Sequence, residues 1–213
     1  MNTILISQML WGKQLNGNMK IQALLNSPYA IPLLNAYKEL DTDILHKSYI
    51  HGQGHIERVM LLGALIARGE KLTKHETALL LFACSYHDIG RVNDRRDDLH
   101  GRRSAMMIEE KGLWEHFGEG SEDELRAVQA AICTHSVNDT MFEELAEEFG
   151  VKEELMPLCR TVCFCLKDAD NLDRVRLHDL DAKYLRSEAS QNLVKTAEFI
   201  FEEYSKRENT QQS

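Results

Sequence analysis

Proline and turn-forming punctuation are scarce in this chain. Its 213 residues include three prolines, Pro28, Pro32 and Pro157, and no alternating strand pattern is bounded by the Asn-Gly or Asp-Gly turns that mark hairpins. An all-β architecture is thereby excluded. Long hydrophobic runs are also missing: the longest, Ala78 to Cys84, falls far short of the roughly 20 residues that cross a bilayer. The opening MNTILISQMLWGKQL lacks a basic start and an Ala-x-Ala-like cleavage site, so a cytoplasmic protein with no membrane partner is expected. Positive charge is in deficit, 25 Lys and Arg against 34 Asp and Glu for a net charge of −9, which argues against a broad grip on nucleic acid. Cysteines number five, an odd count. Cys159, Cys163 and Cys165 fall in a segment that reads as a buried helix, so reduced core thiols are expected in place of a disulfide framework.

What the chain does contain is helix. Capping boxes of the form S/T-x-x-E, in which hydroxyl and carboxylate each satisfy an orphan backbone donor, start helices at Thr73 to Glu76, Ser121 to Glu124 and Thr140 to Glu143. With the apolar periodicity they predict an all-α protein with helices over about 54–69, 73–87, 100–111, 121–136, 140–149, 151–167 and 190–206, and one or two more within 18–40. Residues 1–49 read as a helical extension packing on a core domain at 50–206, and 207–213 as a frayed polar tail.

Histidine placement carries the functional signal. Leu125, Val128, Ile132 and His135 form one stripe at the 3.6-residue period, and His55 shares a face with Val59, Leu62 and Ile66. His87 ends an apolar helix and is followed by Asp88, while His100 opens a helix whose face runs through Ser104, Met107 and Ile108. Four inward imidazoles beside a carboxylate would cost several kcal/mol to bury unpaired. A shared metal ion compensates them, and this donor set suits zinc, iron, manganese or nickel.

The segments Gly54-His55-Ile56-Glu57-Arg58-Val59, Cys84-Ser85-Tyr86-His87-Asp88-Ile89-Gly90-Arg91 and Lys167-Asp168-Ala169-Asp170-Asn171-Leu172-Asp173 resemble the H…HD…D pattern of the HD superfamily of metal-dependent phosphohydrolases, over about residues 50–186. The resemblance implies an all-α HD-domain bundle with ligands from several helices lining a central cleft. It also implies His55, His87, Asp88 and Asp170 as ligands. Helical phase excludes Asp168 but leaves Asp170 and Asp173 open; the family's A-D-x-L arrangement selects Asp170, with Asp173 left to orient a neighbour. His100 and His135 match the two extra histidines of the H…HD…H…H…D variant, whose two metals are bridged by the Asp of the His-Asp pair.

One or two divalent transition metal ions, Mn, Zn, Ni or Fe, are therefore the expected cofactors. The expected activity is hydrolysis of a small phosphorylated, nucleotide-like substrate by attack of a metal-activated water, with Asp88 as catalytic residue. Arg91 and Arg102, from the arginine-rich stretch after the His-Asp pair, are the candidate phosphate grips, and His51 lies in a glycine-flanked loop near the cleft as a third substrate contact. The GYP motif of cyclic dinucleotide phosphodiesterases and the synthetase domain of alarmone enzymes are both absent. The alternatives are a mixed-valent di-iron oxygenase on the same scaffold, separable by metal identity, and a silent metal-binding module.

Overall fold

Thr73 and Ser121 form the capping boxes their spacing calls for. In each, the hydroxyl accepts from the backbone of the third helical residue, and that residue's glutamate accepts in return from the cap. They open two of the twelve helices that the computed structural model describes within residues 6–118 and 120–211. In chain order these are α1 Ile6–Trp11, α2 Met19–Leu25, α3 Ala30–Glu39, α4 Gln53–Glu70, α5 Lys74–Tyr86, α6 His100–Glu110, α7 Leu113–Phe117, α8 Glu122–His135, α9 Phe142–Glu148, α10 Met156–Leu172, α11 Glu188–Gln191 and α12 Val194–Gln211. No strand occurs among the described residues, and no helix of theirs is long and apolar enough to cross a membrane.

The bundle is organised around α4 and α10. Every α4 residue from His55 to Ala67 is buried, which is how a helix looks when neighbours cover all its sides. α5 returns antiparallel to α4, α10 packs across α4, α5 and α8, and α6 lies along α8. On the other side α1, α2 and α3 rest on α4, with α3 also against α5. α12 closes over α4 and the short 3-10 segment Asp173–Leu177. Gly101 permits the α6–α8 contact: a Cβ there would stand 2.8 Å from the backbone carbonyl oxygens of both Cys133 and Ile132, closer than carbon approaches oxygen without displacement.

Several boundaries differ from expectation, each for a local reason. The Thr140 capping box does not form. Asn138 takes the cap instead, its side chain accepting from the Thr140 amide, so the chain passes through a 3-10 turn at Asp139–Met141 before α9 begins at Phe142. α10 starts at Met156 instead of 151, because Pro157 suits a helix's first turn, and it continues to Leu172. α7 was not foreseen; it is five residues between Gly112 and Gly118, both left-handed at φ 64°. α12 extends through Gln211, since 207–211 contain no helix breaker, and 212–213, like 1–5, lie outside the described residues.

All five cysteines are unpaired and buried. Burial pushes the thiols of Cys159, Cys163 and Cys165 up to about 12, so they pack as small apolar groups.

Candidate metal centre

Helix ends converge on one point. His55 is in the first turn of α4, His87 and Asp88 directly follow α5, His100 is the first residue of α6, His135 the last of α8, and Asp170 lies near the end of α10. The four histidines and Asp88 are buried. The Asp170 side chain keeps 30% of its surface, which places the opening of the centre on its side.

Each imidazole is held by its Nδ1 atom. In His87, Nδ1 lies 2.9 Å from the Cys84 carbonyl oxygen, in His135 it lies 2.5 Å from that of Ile132, and in His100 it contacts that of Asp97. A carbonyl can only accept, so each of these nitrogens carries the proton. His55 Nδ1 sits 2.8 Å from Asp173 Oδ2. Burial would raise the Asp173 carboxyl, but Arg58 and His55 outweigh it and hold the group well below the usual carboxylate range, so it too accepts. Arg58 grips the same carboxylate through Nε at 2.6 Å and Nη2 at 3.0 Å.

In a neutral ring so held, the opposite nitrogen points inward as a bare lone pair. Burial, helped by the Arg176 charge, lowers the His55 pKa to about 4, and burial lowers that of His135 to about 4 as well; both rings are neutral at pH 7. Yet Nε2 of His55 stands 3.2 Å from Nε2 of His87, and Nε2 of His100 stands 2.9 Å from Nε2 of His135. Lone pair facing lone pair is repulsive unless a cation lies between them.

Asp88 sharpens the point. Its Oδ1 atom is buried with no hydrogen-bond partner, although His100 Nε2 at 3.0 Å and His135 Nε2 at 3.6 Å are close. Burial would raise this carboxyl, yet it lies well below its ordinary value, with the His51 Nδ1 proton among the groups that favour its charged form. Its other oxygen, Oδ2, lies 3.6 Å from His55 Nε2. Asp170 Oδ1 completes that side at 3.4 Å from His55 Nε2 and 3.9 Å from His87 Nε2. Separations of roughly 3 to 4 Å between donor atoms are what ligands about 2.1 Å from a common ion show. An orphaned carboxylate oxygen among converging imidazole nitrogens fits a divalent cation. Asp88 Oδ2 faces His55 and Oδ1 faces His100 and His135, while His87 lies between the two sides, grouped with His55 and Asp170 and also with Asp88 and His135.

The other site residues expected from sequence are distributed unevenly. His51 reaches the centre: its Nδ1 lies 3.0 Å from Asp88 Oδ2. Arg91 does so as well, donating from Nε to the same oxygen at 2.8 Å. Arg102 does not. Two residues beyond His100 on α6 it falls about 200° round the helix, and its guanidinium pairs with the exposed Glu148. Asp168 is buried on the far side of α10, accepting from Arg186. Sequence reasoning missed Arg58 and Arg176. The Arg176 Nη1 donates to the Asp173 backbone oxygen at 3.0 Å and to Asp173 Oδ2 at 3.2 Å; spacing from Asp173 was the available signal, since i and i+3 meet on a helical turn.

No curated protein and no solved structure gives a significant match to the chain. Residues 52–175, more than half of its length, match the family model described as HD domain, and that span contains His55, His87, Asp88, His100, His135 and Asp170.

Proposed function

The chain belongs to the HD-domain family, most of whose members are metal-dependent hydrolases, and on that premise we propose that it is a metal-dependent phosphohydrolase acting on a small phosphorylated, nucleotide-like metabolite. The observation that carries the reading is the Asp88 carboxylate, buried among four inward imidazoles with one oxygen lacking any donor.

His55, His87 and Asp170, with Asp88 beside His55, would hold one divalent ion, and Asp88 with His100 and His135 a second. Such an ion, when bound, lowers the pKa of coordinated water toward about 7 and polarises a phosphoryl oxygen. The protein's own groups prepare the rest. Without ions the centre is close to neutral, since Asp88, Asp170 and Asp173 face Arg58, Arg91 and Arg176; divalent ions therefore leave a positive surplus that favours an anionic substrate. His51 donates its Nδ1 proton toward Asp88, which leaves Nε2 as the acceptor of the neutral ring, able to take a proton from an attacking water. Five unpaired buried thiols support a reducing, cytoplasmic setting.

The test incubates manganese-, zinc-, nickel- and iron-loaded protein with nucleotides and sugar phosphates, with Asp88→Ala as control. Wild type releases phosphate or pyrophosphate, and Asp88→Ala is depleted of metal by emission spectrometry and inactive. Silence across the panel, with dioxygen uptake by the iron-loaded protein, would replace the hydrolase by an oxygenase.

A further inference from the structure

Arg176 holds a charge at the centre that no ligand role uses, and its donors do not balance. Its side chain is only 5% exposed. Nε donates to the Ile50 carbonyl oxygen at 3.0 Å, and Nη1 is occupied by the backbone and carboxylate oxygens of Asp173. The hydrogen-bond contact of Nη2 is with His51 Nδ1 at 3.5 Å. That nitrogen cannot accept: it stands 3.0 Å from Asp88 Oδ2, and an ionised carboxylate requires the Nδ1 proton to point its way. Nη2 therefore faces another donor, and a buried guanidinium is left with N–H groups that have no acceptor among the described residues.

Arg91 shows the same pattern from the other side. Its Nε is pinned to Asp88 Oδ2 at 2.8 Å, while Nη1 makes only a 3.5 Å approach to the Arg95 carbonyl oxygen. Its side chain is 11% exposed. Both guanidiniums thus adjoin His51 and the Oδ2 side of Asp88, each fixed by some of its donors and offering the remainder. Desolvated N–H groups without acceptors cost about 1 to 3 kcal/mol each, so the arrangement favours an arriving oxyanion.

We propose that Arg176 and Arg91 form the two jaws of an oxyanion site beside the metal centre, and that it takes a terminal, doubly charged phosphate and not an internal diester. The proposal rests on the phosphohydrolase reading for the identity of the anion. Acceptor count decides between the two phosphates. A diester has two unesterified oxygens, which a metal centre would engage; a terminal phosphate has three, enough for the metal centre and the guanidiniums together. Paired donors on planar forks suit this tetrahedral anion better than ammonium groups do.

The experiment titrates full-length, manganese-loaded protein calorimetrically with inorganic phosphate and with dimethyl phosphate. Wild type binds inorganic phosphate, and dimethyl phosphate about tenfold or more weakly. Arg176→Lys keeps a cation beside Asp173 but loses the Nη2 group; it is expected to weaken phosphate binding about tenfold with metal content and melting temperature unchanged. A folded Arg176→Lys that binds phosphate as wild type does would overturn the site. Should the variant not fold, phenylglyoxal labelling of wild type decides, since phosphate must protect Arg176 from modification, and equal labelling with and without phosphate rejects the proposal. Phosphate binding that needs Arg176 in a protein that hydrolyses no ester would retain the oxyanion site and discard the hydrolase. Ester hydrolysis indifferent to Arg176→Lys would do the reverse.

Discussion

The residue with the most dependants at the centre is Asp173. It accepts from Arg58 and Arg176 and fixes the His55 ring, so three groups lose their anchor if its charge is removed. Asp173→Asn leaves the buried Arg58 guanidinium without its carboxylate, a change that typically costs about 3 to 5 kcal/mol. Disturbing the partner of a ligating histidine also weakens metal affinity about 10- to 100-fold. Guanidinium chloride unfolding and a competitive metal titration measure the two losses; unchanged values in both would remove Asp173 from its positioning role. At this scale the sequence was informative where phase decides. His55 and His135 could be turned inward from their stripes, and Asp168 outward. Arg102 was misassigned because nearness in sequence to His100 says nothing of which side of α6 a residue occupies. Arg176 was missed because its one signal, a position three residues after Asp173, counts only if the chain is still helical there, and the apolar stripe of the helix does not run that far.

At the scale of elements, the contact between α6 and α8 sets whether His100 and His135 meet. Gly101→Ala would put a methyl 2.7 Å from Ser136 Oγ and 2.8 Å from two backbone oxygens. Such overpacking costs about 1 to 3 kcal/mol and should push His100 off His135. Elemental analysis under metal-replete conditions should show fewer ions per chain than wild type, and full loading at undiminished stability would contradict the argument. The C-terminal end of α8 is joined to α10 by ions. Lys167 donates to the carbonyls of Thr134 and Val137 and pairs with Asp139 at 2.7 Å, and Arg186 bridges Asp139 and Asp168. Burial alone would raise the Asp139 carboxyl, but Arg186 and Lys167 prevail and lower it from 3.8 to about 2. A carboxyl depressed by folding stabilises the native state above its unfolded value and stops doing so as pH falls through its folded one. Stability supported by Asp139 should thus vanish between about pH 4 and pH 2. Urea melts of Asp139→Asn across that window should show a shallower acid decline than wild type; parallel curves would count against the bridge. Helices with a capping box or a long apolar stripe were legible in the sequence. α7 was not, because five residues are too short for a 3.6-residue period to register, and the cap at Thr140 was lost to Asn138, a competitor that a pattern of hydroxyl and carboxylate does not see.

For the molecule as a whole, ligands from α4, α6, α8 and α10 and from the segment after α5 come together only when the bundle is complete. An ion that binds the folded chain and not the unfolded one stabilises by mass action, about 2.7 kcal/mol at a hundredfold excess over the dissociation constant. For a chain of this length that corresponds to a melting temperature about 5 to 11 °C higher. Thermal melts with manganese or zinc against excess chelator should show it, and coincident melts would deny that the centre is a metal site. The way the histidines are held has a further implication, for transplantation. His87, His100 and His135 each lean on the carbonyl three residues earlier, at Cys84, Asp97 and Ile132. Their aim is inherited from the local backbone, whatever side chains drift around them, and would travel with a four-residue fragment grafted onto another helical scaffold. His55 has no such portability: its partner lies 118 positions away, so a designer copying the centre must import Asp173 and its arginines as well.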